Sequence, residues 1–368
     1  MVTEELERAG AVGVTNVGIG MLLAAPAIVE YGSDDVKRRF LRPIATSEVR
    51  WCELFSEPGS GSDLAGLTTR AQLDGDEWII NGQKVWNTGA ARADYGLLLA
   101  RTDWTKSKNR GITCFILPMR QPGVEVRPLK QMNGHATFNE VFLTDARIPR
   151  NNVIGATEAG WAIAQSVLSR EREHGTSRAI DPARLDGRSR AVREAAVEMD
   201  EHHDTYRWYP QRAGRPDLLI SQAQALGVQN DPLIRQRIAA AITFERATGW
   251  NKERARSARA AGKAPGPEGS LAKLSGTELA RLAAGIHADM AGAHAMLSGP
   301  DSLLDGVISE VIVSVPAGSI AGGTDEIQRN LVGERVLGLP REPGVDVGVP
   351  FEQVQQNKRS DSTRGIEP

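Results

Sequence analysis

The stretch DGDEWIINGQKVWNTGA, residues 74–90, decides how the chain reads. Two turn dipeptides, Asp74-Gly75 and Asn81-Gly82, bracket the run Glu77–Ile80. Both supply the positive φ that tight hairpin turns need, so successive hairpins are expected. Working outward, WCELF (51–55), YGLLLART (95–102), GITCFILPM (111–119), GVEVRPL (123–129) and NEVFLTDARI (139–148) are short and rich in β-branched and aromatic residues. Gly, Asn, Asp and Pro separate them at about ten-residue intervals, the pattern of an antiparallel barrel or sandwich.

On either side the texture turns helical. Residues 3 to about 47 predict short helices, one of them capped by Ser33 ahead of Asp34-Asp35, where acidic side chains suit the positive end of the helix dipole. After Gly160, WAIAQSVLSREREHG sets its apolar positions 161, 163, 164, 167 and 168 on one helical face. DPLIRQRIAAAITFERATGW and SLAKLSGTELARLAAGIHADMAG repeat that texture. The expected organisation is therefore an α+β multidomain chain: a partial N-terminal helical domain (1–48), a middle β-domain (49–155), a C-terminal helical domain (156–343) and a polar tail (344–368), disordered or draped on a neighbour.

Composition narrows the function classes. With 368 residues, 40% of them hydrophobic, 24% charged and a net charge of −2, the chain has the profile of a globular protein without a nucleic-acid or anionic-membrane footprint. No apolar run reaches the roughly 18 residues a spanning helix needs. The opening MVTEELERAG is acidic and lacks a signal core, which predicts a cytoplasmic protein. Cys52 and Cys114 lack metal or disulfide spacing and read as buried thiols. Gly18-x-Gly20 lacks a third glycine and a strand before it, so no dinucleotide fingerprint is present. His202-His203, beside Glu201 and Asp204, read as a solvated helix face, and no metal is expected.

Two motifs carry chemistry. SEPGSGSD (56–63) follows a strand, and its glycines, proline and serines predict a tight turn that presents N–H and hydroxyl groups to a heterocycle or phosphate. KVWNTGA (84–90) places Trp86 two residues from Thr88, which on a strand would share one face and could stack on and hydrogen-bond a flat ring. A surface turn and a core tryptophan are the alternatives that the residues alone leave open.

Taken in order, SEPGSGSD, INGQKVWNTGA, RGITCFIL, GVEVRPL, FNEVFLTDARIP, NVIG and Gly160-Trp161 closely resemble the middle domain of the acyl-CoA dehydrogenases. AGGTDEIQRNLVGERVLGLPREP (321–343) resembles that family's C-terminal flavin motif. The resemblance implies an FAD-dependent enzyme that desaturates the Cα–Cβ bond of an acyl-CoA thioester. It assigns Phe55, Ser56, Gly61 and Ser62 to the cofactor, together with Trp86, Asn87 and Thr88. Thr324, Asp325 and Glu326 join them from the second motif, while Ser62, Arg172 and Gly323 fall to the acyl-CoA. Electron-transferring flavoprotein is the implied acceptor.

The α-proton needs a base opposite the flavin and donors at the thioester oxygen, where enolate charge develops. The family's usual glutamate, just before the Gly-Thr of the C-terminal motif, is Gly322 here. An isovaleryl-type subset carries its glutamate on the helix after the β-domain, which falls on Glu171. The other reading of Glu171 is a solvated residue of the charged run 170–173. Fifty-five residues precede SEPGSGSD, about half the family's usual number, so the N-terminal helices are expected to be shortened. The family's Arg…Phe-Gly…Gln stretch, which reaches the FAD of a neighbouring subunit, is not recognisable. Its Gln-x-x-Gly-Gly-x-Gly motif is reduced to Asp289-Met-Ala-Gly-Ala-His-Ala295. Two functions follow: a homo-oligomeric dehydrogenase, dimer or tetramer, or a catalytically silent structural subunit in a mixed tetramer with a paralogue.

Overall fold

A computed structural model describes residues 18–174, 210–263, 266, 268–299, 302–341, 343–344 and 346–354. The chain divides into two compact units, a β-unit (Val17–Leu129, Phe138–Val167 and Glu342–Pro368) and a helical unit (Met1–Asn16, Lys130–Thr137 and Leu168–Arg341).

The β-unit opens with a π-helical turn (Gly20–Ala24) that runs into α1 (Ala25–Tyr31), then α2 (Asp34–Ala45). Ser33 caps α2 as its sequence predicts, its Oγ accepting from the Val36 N–H at 3.3 Å with Asp34 and Asp35 in the first turn. The buried face of α2 is Val36, Phe40 and Ile44. Phe40 meets Trp51 and Tyr95 edge-on at 5.8 and 5.2 Å between ring centroids, which pins the helix to the sheet.

Eight strands form one sheet: β1 (Trp51–Leu54), β2 (Arg70–Asp74), β3 (Glu77–Lys84), β4 (Tyr95–Arg101), β5 (Ile112–Pro118), β6 (Val124–Leu129), β7 (Phe138–Pro149) and β8 (Val153–Ile154). Their order is β6-β7-β3-β2-β4-β5-β8, with β1 beside β4. The sheet is mostly antiparallel, but β1 and β2 run parallel to β4. Its core includes Leu54, Ile80, Leu98, Phe115 and Ile148, with Trp78 edge-on to Phe115 at 5.3 Å. Cys52 and Cys114 are free and buried, Cys52 within this core.

Asp74-Gly75 makes the expected hairpin: Asp74 pairs with Glu77, and Gly75 takes φ 59°. Asn81-Gly82 does not turn. β3 continues through it, paired with β7, and the register shifts between Ile80 and Gly82. The dipeptide marks a bulge, since a long partner strand lies opposite. Glycine is needed there because a Cβ on Gly82 would sit 2.5 Å from Thr69 Oγ1 and 2.8 Å from Thr69 Cα.

The polar tail also departs from expectation. Its composition predicts a segment disordered or draped on a neighbour, yet within the described residues 346–354 the Phe351 N–H donates to Lys106 O (2.9 Å) and the Glu352 N–H to Trp104 O (3.0 Å) of the same chain. Phe351 is buried. One inward-facing aromatic supplies the anchor that the average polarity of the segment conceals.

α3 (Gly160–His174) is the helix read from residue 160 onward; its first half, with Ile163, Ala164 and Val167 buried, belongs to the β-unit, and the helical unit takes it up from Leu168. α4 (Leu219–Ala225), α5 (Pro232–Ala260), α6 (Glu268–Ala291), α7 (Val307–Ser314) and α8 (Asp325–Arg335) follow. α6 is the hub, packing on α4, α5, α7 and α8. Leu219, Ala223, Ile238, Ala241, Ala283 and Ile286 fill the seam among α4, α5 and α6. Among the described residues no helix is long and apolar enough to cross a membrane.

One buried ion pair organises the β-unit's loops. Lys84, wholly buried, donates through Nζ to Glu57 Oε1 (2.9 Å) and Phe55 O (3.0 Å). Glu57 accepts the Thr69 N–H on Oε1 (2.8 Å), and the Thr68 N–H (2.7 Å) and hydroxyl (2.8 Å) on Oε2. Burial pushes the Glu57 carboxyl up, but the charge of Lys84 and the bonds from Thr69, Lys84 and Thr68 outweigh it and hold the group at about 2. Burial pushes Lys84 down, against the pull of Glu57.

Two predictions arise from this architecture. Gly82→Ala, driving a methyl into the Thr69 backbone, should cost several kcal/mol, in the ~1–3 kcal/mol range of overpacking or above; thermal unfolding measures it, and an unchanged midpoint would refute the close approach. Glu57→Gln should cost about 3–5 kcal/mol near neutral pH by leaving Lys84 buried without its counter-charge. Because the folded-state value of Glu57 lies below its ordinary 4.5, its contribution is complete above that pH and is lost as pH falls toward 2. Urea unfolding across this window should therefore show a steeper pH dependence for the parent than for Glu57→Gln; equal slopes would refute the pairing.

Candidate active site

The Ser56–Asp63 loop leaves β1 and folds back on itself: Glu57 and Ser60 exchange backbone hydrogen bonds, each 3.0 Å, around Pro58-Gly59. Phe55 is buried and Ser56 half-buried, while Gly61 and Ser62 are exposed. Neither Gly59 nor Gly61 has a left-handed φ, and a Cβ on either would meet nothing within 4 Å. Their glycines leave clearance above the loop rather than permitting an unusual turn. The N–H groups of Gly61 and Ser62 make no backbone hydrogen bond among the described residues.

Trp86 and Thr88 do not share a strand face as their spacing predicts. β3 ends at Lys84, and Trp86 adopts φ 64°. A bulky residue in the left-handed region is strained by roughly 1–3 kcal/mol and persists only where its surroundings over-determine it. Asn87 provides that. Buried, it exchanges backbone hydrogen bonds with Asn139 (3.0 and 3.1 Å), and its Nδ2 donates to Glu53 O at 2.7 Å. Asn139 Nδ2 returns to Asn87 O at 2.8 Å. The indole of Trp86 is thereby held 55% exposed, edge-on to Phe138 at 5.8 Å, with Thr88 half-buried beside it.

The two loops are one construction, since the Val85 N–H donates to Ser56 O at 2.9 Å. Asn87 Oδ1 is buried without a hydrogen-bond partner. A fixed exposed indole, an unanswered buried acceptor and the clearance over Gly61 suit a flat polar heterocycle.

In the helical unit, Gly322 and Gly323 both take left-handed φ, 66° and 85°. They lead into Thr324, which caps α8 by accepting the Ile327 N–H on Oγ1 at 3.3 Å. Buried Gln328 turns back to donate to Gly322 O (3.1 Å) and Gly323 O (3.4 Å), and its Oε1 has no partner. A Cβ on Gly323 would lie 2.5 Å from Gln328 Nε2 and displace that amide, and the φ of 85° itself favours glycine. Asp325 is buried with its carboxylate committed to Lys273 (2.7 Å) and Arg281 (3.0 Å). Burial pushes that carboxyl up, and the two cations more than reverse it. Glu326 is exposed in the first turn of α8.

Glu171 is half-buried on α3; the side chain of Arg172 lies outside the described residues, as do Glu201, His202, His203 and Asp204. Asp289 is ion-paired with Arg237 of α5. Among the described residues no cluster of His, Cys, Asp and Glu could hold a metal.

Sequence reasoning missed Lys84, Glu57, Asn139 and Lys273. For Lys84 a signal existed: it keeps inward parity with Trp78 and Ile80 on β3, so a charge stood where an apolar residue was due. Glu57 and Asn139 carry no local signal, because their partners are remote in the chain.

Comparison with known proteins agrees with this construction. The N-terminal, middle and C-terminal domain families of acyl-CoA dehydrogenase match residues 1–48, 52–146 and 219–337. Acyl-CoA dehydrogenase IpdE1 of Mycobacterium tuberculosis is 34% identical over 348 residues, which span 92% of this chain and 79% of that protein. The ChsE4-ChsE5 complex of the same organism superposes with a TM-score of 0.70 at 29% identity, covering 88% of this chain and 78% of the other. A solved steroid ACAD, Tcur3481-Tcur3483, gives 0.70 at 25% identity, covering 88% and 77%. The chain belongs to the acyl-CoA dehydrogenase family and is an oxidoreductase acting on acyl-CoA.

Proposed function

We propose that the chain is an FAD-dependent dehydrogenase that removes a proton from Cα and a hydride from Cβ of an acyl-CoA, with Glu171 as the base. The observation that carries the assignment is at the C-terminal motif: position 322 is a glycine in the left-handed region, with open space where a Cβ would stand. No carboxylate is available there, whereas α3 carries Glu171 immediately before Arg172. FAD, when bound, supplies the hydride acceptor.

The chain's own residues do the rest. Trp86 offers its exposed face to the ring system, and Thr88, the Asn87 amide and the N–H groups of Gly61 and Ser62 offer hydrogen bonds. Phe55 and Ser56 fix the base of this loop, and Thr324 and Glu326 border the cofactor from α8. The side chain of Asp325 faces inward, so its part is to hold the α8 N-terminus through Lys273 and Arg281. Gly323 and Ser62 leave room for the thioester, and Arg172 lines the acyl-CoA. Glu171 then takes the α-proton as charge builds on the thioester oxygen. A positioned carboxylate of this kind contributes 10²–10⁴-fold as an order of magnitude. Electron-transferring flavoprotein is the acceptor we infer.

The substrate is a fatty, branched or steroid-derived acyl-CoA, and the likeness to the steroid ACAD favours the last. A second reading, a silent subunit of a mixed tetramer, is favoured by Asp289. This residue stands where the family carries a glutamine toward pyrophosphate, and it brings a negative charge already engaged by Arg237. The two-chain composition of the ChsE4-ChsE5 complex points the same way.

The visible spectrum of the purified protein, alone and then anaerobically with a panel of acyl-CoAs, separates the two. Yellow protein bleached by one thioester is the expected result; flavin that no thioester reduces, or none at all, would favour the silent subunit. Glu171→Gln should keep its flavin and lose about 10²–10⁴-fold or more in reduction rate. Reduction at the parental rate would remove Glu171 from the mechanism.

A further inference from the structure

Residues 346–352 lie against the β-unit on a specific set of groups. Beyond the backbone bonds to residues 104 and 106, the Phe351 ring stacks on the Arg101 guanidinium, with Cζ 3.4 Å from the ring centroid. Arg101 is wholly buried, yet its donors reach forward: Nε to Leu67 O (3.2 Å), and one terminal nitrogen to Ala65 O (2.7 Å) and Lys108 O (2.9 Å). Its other terminal nitrogen is buried without a hydrogen-bond partner, and the π face of Phe351 is the nearer cap of this cation, with the Trp104 ring centroid 5.9 Å away. Lys108 Nζ bridges Asp346 and Asp63, each at 2.6 Å.

Both cations thus have one side on the tail and the other on the Ser56–Leu67 loop. That loop is already fixed at its start by the Glu57–Lys84 pair. Beyond Ser62, residues 63–67 are held by Arg101 and Lys108, and Glu57 takes over at Thr68 and Thr69. We propose that residues 346–352 act as a positioning clamp for this loop, through Phe351 on Arg101 and Asp346 on Lys108, and so set how tightly the loop takes its ligand. The role in ligand binding rests on the assignment of the loop to the cofactor and acyl-CoA; the clamp itself does not.

Hydrogen–deuterium exchange on the full chain, read on peptides covering 59–67 with and without added FAD, tests it. Phe351→Leu keeps apolar volume but loses the π face, and Phe351→Tyr keeps both. The Leu variant should exchange about tenfold faster over residues 61–67 and bind FAD about tenfold more weakly, the factor a desolvated cation–π contact carries. The Tyr variant should restore both. Exchange at the parental rate in Phe351→Leu, or no rescue by Tyr, would overturn the clamp. If Phe351→Leu unfolds the β-unit, Asp346→Asn probes the same clamp through Lys108, with about threefold faster exchange expected and unchanged exchange refuting it. Faster exchange with unaltered FAD affinity would overturn the ligand-setting role and leave the mechanical one. A chain that takes up no FAD would sink the loop's assignment, while exchange on the free protein still decides the clamp.

Discussion

A lysine ammonium with no access to water is the constraint from which the β-unit's functional surface is built. Taking Lys84 and Glu57 out of solvent carries a penalty of several kcal/mol for each ion, and their attraction offsets it only if the remaining donors and acceptors are satisfied. An aliphatic pair of similar volume would fill the same space with less risk. The ion pair differs in having direction. Lys84 must find Phe55 O, and Glu57 must find the amides of Thr68 and Thr69. The backbone on both sides of the Ser56–Asp63 loop is thereby fixed by the same atoms that make the charges tolerable.

The two candidate motifs solve the problem of backbone strain differently. In the β-unit a tryptophan is forced into a left-handed conformation and retained by an asparagine ladder, Asn87 with Asn139. In the helical unit two glycines adopt left-handed conformations without strain, and Gln328 locks them from behind through their carbonyls. The first arrangement spends stability to hold a ring out in the open. The second keeps side chains away from the approach to the α8 N-terminus. Asp325 completes that second arrangement as a buried anion between two cations, anchoring the helix start.

Much of this was legible in advance, for reasons that can be located. The strands β1 and β3–β7 follow from local β-branched and aromatic runs, and the Ser33 cap from a single side chain next to two acids. Readings failed where a local signal met a distant partner. Asn81-Gly82 has turn chemistry, but β7 lies alongside and turns it into a bulge. Trp86 and Thr88 have strand spacing, but Asn139, 52 residues further on, ends the strand geometry. The tail reads as polar on average, and one phenylalanine decides its place. The assignments of Glu171, Ser62 and Arg172 came through likeness to a family, because no spacing along the chain encodes which groups converge on a thioester.

The tail that packs on the β-unit also sets an order of assembly. Lys108 and Asp346 are 238 residues apart in the chain, and all of the helical unit except residues 1–16 is encoded between them. During synthesis, the strands can pair and the Lys84–Glu57 contact can form as soon as residues 51–154 emerge. Arg101, however, waits without its Phe351 partner until the ribosome has passed residue 351. Loop closure over such a distance is slow compared with local pairing. The β-unit is therefore the first part of this protein to begin folding and among the last to be finished, with its Ser56–Leu67 loop the piece left open in between.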